Sequence, residues 1–395
     1  MVPLIKNIKQ YASKIEDEVI ENRRYLHKHP ELSFQESNTS AFIKQKLEEM
    51  KVEWISVANT GIVAFIKGKL SDETVVLRAD IDALPIKEEN DIDYSSENNE
   101  VMHACGHDVH TASLLGTIKI LNSIKHEIKG NIMCIFQPAE EKLPGGAKQI
   151  IDSGIFNDKK IKAVIAQHVM PSIETGKIAL REGKFMASMD EITICVNGKG
   201  GHGAEPHNTI DPVVIASNIV ITLQQLVSRN SNPNIPTVLS FGKFHANGSF
   251  NVIPKKVILQ GTLRTFNETW RNKAHEKIKA IASSIAESMG ANCDIHINKG
   301  YPFLINDKKI SNNVCNHIKK YVGNKNFLEP DLWMASEDFA YYSQKYPSAF
   351  YLLGVGNKKK NITSALHTST FNIDEDVLEI STGLMAYTAL KLLHD

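Results

Sequence analysis

The sequence predicts an α/β protein in which a larger domain is interrupted by a smaller inserted one. Three observations predict it. Short apolar runs rich in β-branched residues alternate with segments of helical spacing, the pattern of a sheet covered by helices. Several of those runs end in acidic or imidazole residues. Between residues 187 and 300 the order of patterns becomes β-α-β-β-α-β, which is a complete unit by itself.

Taken in order, Leu4, Ile5, Ile8, Tyr11, Ala12, Ile15 and Val19 follow one helical spacing toward Pro30, and this start has no apolar core of a signal peptide. TVVLRADIDALP (Thr74 to Pro85), NIMCIFQPAEE (Asn131 to Glu141) and KAVIAQHV (Lys162 to Val169) read as buried strands. They deliver Asp80 and Asp82, Glu140 and Glu141, and His168 at their carboxyl ends, the edge where ligand sites of open α/β sheets lie. HACGHDVH, residues 103 to 110, packs three histidines, a cysteine and an aspartate ahead of the helically spaced Leu114, Leu115, Ile118, Leu121 and Ile124. Cys105 and His107 are therefore expected at a helix N-terminus, whose dipole favours a thiolate.

After REGKFMAS the pattern changes. EITICV reads as a strand, DPVVIASNIVITLQQLVSRN as a helix, TVLSFGKF and KKVILQGTLRTF as strands, TWRNKAHEKIKAIASSIAESMG as a helix and NCDIHIN as a last strand, a ferredoxin-like order. Helix and strand patterns return from about Asp307, with AFYLLGVG and a helical run after Asp374. The expected boundaries are a discontinuous domain of residues 1–186 and 301–395 and an inserted lid of residues 187–300.

The 45 basic and 45 acidic residues cancel, so no overall field draws the molecule to nucleic acid or anionic lipid, and the expected ligand is a small molecule. No apolar stretch approaches the roughly 18 residues of a membrane span. Cys105, Cys134, Cys195, Cys293 and Cys315 are odd in number and scattered, which suits reduced thiols and a cytoplasmic protein.

Taken singly, the polar residues have bland readings. A Glu-Glu pair is ordinarily a solvated face, a histidine after a strand is ordinarily satisfied locally, and Asp80 and Asp82 could cap a turn. Together, several carboxylates beside a thiol and imidazoles at one sheet edge are costly unless a cation compensates them, and a metal is that cation. GKGGHG, Gly198 to Gly203, matches the dinucleotide fingerprint G-x-G-x-x-G. Pro206 and Pro212 interrupt the helix the fingerprint needs, and no Asp or Glu lies between Pro212 and Ala246 to hold a ribose. A glycine turn presenting His202 is the expectation there.

RRYLHKHPELSFQE (23–36), LRADIDALPI (77–86), MHACGHDVHTA (102–112), FQPAEE (136–141), GGHGAEPHNTIDP (200–212), FNVIP (250–254) and LHTSTF (366–371) span nearly the whole chain. Together they resemble the zinc amidohydrolases of the aminoacylase and carboxypeptidase G superfamily. The resemblance is to the branch of hippurate hydrolases, N-acetyldiaminopimelate deacetylases and auxin-conjugate hydrolases. It implies a metallopeptidase-like catalytic domain with a central mixed sheet, interrupted by a ferredoxin-like lid and dimerisation domain. It also implies two divalent metal ions per subunit, zinc first with manganese, cobalt or nickel as alternatives, and hydrolysis of the amide bond of N-acetyl, benzoyl or similar N-acyl amino acids. A homodimer through the lid is implied, with a tetramer as the next assembly.

Carried over by position, the metal ligands fall on Cys105, His107, Glu141, His168 and His367, and the general base on Glu140. His202, Asn251 and Arg264 fall near the substrate of a neighbouring subunit, His202 as an oxyanion stabiliser and Arg264 as a partner for a substrate carboxylate. The superfamily's His-x-Asp-x-x-Pro reads Asp80-Ile81-Asp82-Ala83-Leu84-Pro85 here, so Asp80 and Asp82 are expected to support ligands rather than serve as them. Neighbouring side chains of an extended segment face opposite ways, which lets Glu141 hold metal while Glu140 addresses water. Two rival classes are a thiol redox protein using Cys105, weakened by the lack of a nearby resolving cysteine, and a non-catalytic metal or amino-acid binding protein, weakened by Glu140.

Overall fold

The computed structural model describes residues 2–394, which fall into two compact units. The first contains the chain up to Phe185, then Ile305–Asp331 and everything described from Asp338 onward; the second is Met186–Leu304 with Leu332–Glu337.

The first unit is built on an eight-stranded mixed sheet, in the order Glu53–Val57, Gly61–Lys67, Asn131–Gln137, Glu73–Asp80, Lys160–Glu174, Ser348–Gly356, Ile178–Ala179 and Phe327–Leu328. The strands Asn131–Gln137, Glu73–Asp80, Lys160–Glu174 and Ser348–Gly356 run parallel at its centre. These strands are apolar on both faces, as a sheet covered on both sides requires: Val75, Val76, Leu77, Val164 and Ile165 are all buried. The helix His107–Ser123 is buried around most of its circumference because it packs against the helices Glu16–Lys28 and Val377–His394 as well as the sheet.

Three of the expected elements differ from the sequence pattern. The strand expected from Asn131 to Glu141 ends at Gln137, so Glu140 and Glu141 lie beyond it and are not separated by strand alternation. The strand expected from Thr74 to Pro85 ends at Asp80. Past it, Ile81 N–H still reaches Gln137 O, but Ala83 N–H turns to Glu31 O at 2.8 Å and the ladder is abandoned. The single helical run at the start is two helices, Val2–Lys14 and Glu16–Lys28. It breaks at Ile15, whose N–H is shared between Tyr11 O and Ala12 O, a tightened last turn.

The second unit is a four-stranded antiparallel sheet ordered Thr237–Ala246, Lys256–Thr265, Ser188–Asn197, Asn292–Lys299. Alternation along Ser188–Asn197 places Ile192, Ile194 and Val196 in a core with Ile215, Ile219 and Ile278, from the helices Pro212–Leu223 and Glu268–Ser288, while Glu191, Thr193 and Cys195 face the other way. A buried ion network secures the second helix. Asp190 receives Arg271 Nη2 at 2.6 Å and His275 Nε2 at 2.7 Å, and Arg271 Nη2 also donates to Met189 O and Gly300 O. The glycine-rich stretch opens no helix. Gly201–His202 pairs with Val252–Ile253, and the next α-helix starts only at Pro212, capped by Asp211.

Candidate metal centre

In the first unit three strand ends and two loops converge on one cluster. Gly106 has φ 78° and a Cβ placed on it would meet Val169 Cγ2 at 2.4 Å, so the turn between Cys105 and His107 requires glycine. His107 opens the helix that follows. Ala139 takes φ 51°, presenting Glu140 and Glu141, and is held there by the buried Glu36 carboxylate. Glu36 accepts from Ala139 N–H at 2.8 Å, Phe34 N–H at 2.9 Å and Thr60 Oγ1 at 2.6 Å. His367, also at positive φ, is fixed by its N–H to Ala104 O at 2.9 Å.

Cys105 Sγ lies 3.4 Å from His168 Nε2 and 3.3 Å from His367 Nε2. Glu141 Oε1 lies 3.2 Å from His367 Nε2 and 4.0 Å from His107 Nε2. The triplets Cys105–His107–His168, Cys105–Glu141–His367 and His107–Glu140–Glu141 each offer donor atoms within 4.8 Å of one another. Whether these residues fit a cation is answered by two orphaned atoms: His107 Nε2 and Glu141 Oε1 are buried without a hydrogen bond, which is costly in a protein interior unless something else satisfies them. The set of thiol, imidazole and carboxylate donors is the one a borderline metal such as zinc takes.

The electrostatics agree. Burial alone would depress His107, but Asp80, Asp82 and Glu141 push its pKa up to about 10, drawing positive charge to the place a cation would take. Cys105 is pushed well above its ordinary value by burial and by Glu141, Glu140 and Asp80. Cys105 does lie at the N-terminus of the helix His107–Ser123, but burial and the neighbouring carboxylates favour its thiol over the thiolate expected from the helix dipole.

Asp80 and Asp82 hold the cluster from beneath. Asp82 receives His107 Nδ1 at 3.2 Å on its carboxylate and 2.9 Å on its backbone oxygen, with Ser33 Oγ at 2.6 Å and Glu141 N–H at 3.0 Å. His107 is thus turned so that Nε2 faces the cluster. Burial would raise both aspartates, but Arg78, His107 and His110 hold Asp80 low, and the hydrogen bonds of His107, Ser33 and Glu141 N–H do the same for Asp82. Arg78 bridges Asp80 and Asp338, at 2.5 Å and 2.9 Å. Asp338 also receives Gln137 Nε2 and Ala147 N–H, and its own N–H points to Glu140 Oε1 at 3.4 Å. Burial pushes Asp338 up to about 6 against the pull of Arg78.

Glu36, Gln137 and Asp338 escaped the sequence reading of the site because each acts through partners remote in the chain. The one legible signal was Arg78, a charge inside an otherwise apolar strand. His103 lies in the same motif as Cys105 and His107 yet is fully buried and held down to about 4 by desolvation, a neutral ring.

In the second unit His202 and Asn251 are neighbours: His202 is paired with Val252, and Gly203 N–H donates to Asn251 O at 2.7 Å. His202 is exposed and its Nδ1 accepts from Ala204 N–H. Arg264 lies on the strand Lys256–Thr265, half-buried, with Nη1 donating to Ser336 Oγ at 2.9 Å. Among the described residues no helix is long and apolar enough to cross a membrane.

A parallel sheet whose carboxyl edge gathers thiol, imidazole and carboxylate donors around a second, differently held glutamate defines a metal-dependent hydrolase. The chain belongs to the peptidase family M20/M25/M40, whose model matches residues 76–391. It is 42% identical over 302 residues to an N-acyl-L-amino acid amidohydrolase of Geobacillus stearothermophilus, covering 76% of this chain and 81% of that one. It is 38% identical over 384 residues to an N-acetyl-L-cysteine deacetylase of Bacillus subtilis, covering 97% and 90%. The crystal structure of the Bacillus subtilis YXEP protein, described as a dinuclear metal binding peptidase of the M20 family, superposes with a TM-score of 0.83 at 34% identity, over 97% of this chain and 99% of that one.

Proposed function

We propose that this protein hydrolyses the amide bond of small N-acyl amino acids, with Cys105, His107, Glu141, His168 and His367 holding two divalent ions, zinc first among them. The observation that carries the reading is the different setting of adjacent glutamates. Glu141 Oε1 lies buried among His107, His367 and Cys105 and 3.2 Å from His367 Nε2, without a hydrogen bond, while Glu140 Oε1 faces the Asp338 N–H at 3.4 Å. The names of the two enzymes above support the acyl amino acid as substrate.

Bound there, the ions supply a polarised amide carbonyl and a water made acidic near neutral pH. Glu140 would take a proton from the water that attacks the carbonyl carbon and pass it to the nitrogen of the leaving amine as the C–N bond breaks. Glu36 and Asp338 keep the Glu140 loop in place through Ala139 N–H and Glu140 Oε1. His202, Asn251 and Arg264 would serve the substrate of a neighbouring subunit, His202 donating to the oxygen that gains charge and Arg264 pairing with the substrate carboxylate. Exposed Val214 and Ile221, two turns apart on one face of the helix Pro212–Leu223, support a homodimer made through the second unit. The five free cysteines suit a reducing cytoplasm.

The test is turnover by zinc-reconstituted protein on N-acetyl, N-benzoyl, N-succinyl and indolyl-acyl amino acids. Hydrolysis of at least one, lost on chelation and restored by zinc, is expected; full metal loading with no turnover on any of them defeats the proposal.

A further inference from the structure

We infer that His110 is a positioning residue and not a metal ligand: it ties the peptide that orients His168 to the carboxylate of Asp80. The inference rests on the reading above that His168 holds metal.

His110 is fully buried. Its Nδ1 lies 2.5 Å from Asp80 Oδ1, and its Nε2 accepts the N–H of Val169 at 3.0 Å. A backbone N–H can only donate, so Nε2 must carry a lone pair, and the ring's proton sits on Nδ1 facing Asp80. Both nitrogens are then committed. A ligand would need one of them free, so the proximity of His110 to Asp80 and His107, which would suit a metal triplet by distance alone, is used up by hydrogen bonds.

The Val169 peptide is the useful part of this link. Its N–H goes to His110, and its C=O faces His168 Nδ1 at 2.8 Å. With Nδ1 so occupied, His168 turns Nε2 toward Cys105 Sγ. The rings of His110 and His168 also meet edge to face, 4.9 Å apart. At the other end Asp80 cannot swing, because Arg78 holds its second oxygen and Thr111 Oγ1 donates to its backbone oxygen at 2.9 Å. Three elements, the strands Glu73–Asp80 and Lys160–Glu174 and the helix His107–Ser123, are thereby locked in one register around the donor atoms.

The experiment measures zinc affinity of the full chain by competition with a chromogenic chelator, with zinc stoichiometry and circular dichroism alongside. It compares wild type with His110→Ala, His110→Asn and His110→Gln. Asparagine places its amide near the Nδ1 position and restores only the Asp80 bond; glutamine carries a carbonyl to the Nε2 position and restores only the Val169 bond. Expected is an affinity roughly 10- to 100-fold weaker in the alanine variant at unchanged stoichiometry, as for other residues that orient metal-binding histidines. Glutamine is expected to recover most of that loss and asparagine little. Loss of a whole equivalent of zinc from a folded alanine variant makes His110 a ligand and overturns the inference. So does unchanged affinity, or recovery by asparagine equal to that by glutamine.

If the wild-type chain binds no zinc, the functional reading falls by itself. The His110 assignment is then decided by long-range 1H–15N spectra of histidine-labelled protein, where a neutral ring protonated at Nδ1 is expected and any other form refutes it. The same spectra decide it if the alanine variant fails to fold.

Discussion

Glu140→Gln isolates the proton acceptor from everything else in the centre. Glutamine has nearly the volume of glutamate and keeps an oxygen for the Asp338 N–H, which reaches Glu140 Oε1 at 3.4 Å, so a long hydrogen bond is retained rather than broken. Its effect on stability is expected to stay below about 1 kcal/mol. None of Cys105, His107, Glu141, His168 and His367 is altered, so zinc content should be that of wild type. Catalysis behaves differently, because an amide side chain has no basic lone pair at neutral pH. General acid–base catalysis contributes about 100- to 10,000-fold, and at about 1.36 kcal/mol per tenfold the barrier should rise by about 2.7–5.4 kcal/mol. The assay is kcat on the best acyl amino acid, with metal analysis and a thermal melt on the same preparation. A folded, fully metallated Glu140→Gln enzyme retaining more than about a tenth of wild-type kcat would refute the assignment.

Cys105→Ser exchanges a strong ligand for a poor one, so zinc occupancy after dialysis against a mild chelator should fall while the fold persists; equal occupancy in the variant removes Cys105 from the ligand set. Inactive Glu140→Gln and His202→Ala chains, unfolded together in equal amounts and refolded, should regain roughly a quarter of wild-type activity if His202 serves the opposite subunit, because one site of each heterodimer carries neither lesion. Mixtures with verified subunit exchange that stay inactive show that His202 does not act across the interface. Asp190 gives a pH signature in the second unit. Burial would raise its pKa, but hydrogen bonds from His275 and Arg271 and their charges hold it below the usual value. Its stabilisation is therefore present above the unfolded value of about 3.9 and lost as pH falls through the lower folded one. Asp190→Asn should cost about 3–5 kcal/mol in urea melts at pH 7 and progressively less as pH falls below the unfolded value; a deficit that does not shrink toward low pH contradicts the linkage.

The buried parallel strands were legible because short runs rich in β-branched residues, such as Val75 to Leu77, suit a doubly covered sheet, and the carboxyl-edge rule then pointed to Asp80, Glu140 and His168. The alternation of Ile192, Ile194 and Val196 with polar neighbours exposed the second sheet in the same way. Periodicity does not show where a ladder ends: the bond from Ala83 to Glu31 that stops the Glu73–Asp80 strand is made to a residue some fifty positions earlier. Nor does it show how the three histidines in HACGHDVH differ. His103, His107 and His110 are equally buried; His110 has both nitrogens hydrogen-bonded, while the unpartnered nitrogens of His103 and His107 differ in their surroundings, since only His107 Nε2 lies beside Glu141 and the other donors.

The first unit is discontinuous along the chain, and this orders events during synthesis. Asp80, Cys105, His107, Glu141 and His168 leave the ribosome before the whole of Met186–Leu304, and His367 long after it. At roughly 5–20 residues per second the nascent chain spends on the order of ten seconds or more with the donors of one loop still unmade. During that interval the strand Lys160–Glu174 also lacks its neighbour Ser348–Gly356, so a central strand is temporarily an open edge, prone to pairing with other chains. The second unit, contiguous apart from Leu332–Glu337, has all four strands of its main sheet by Lys299 and is free to fold while the first still waits. A chain stopped between Glu337 and His367 would carry a finished insert on an unfinished host.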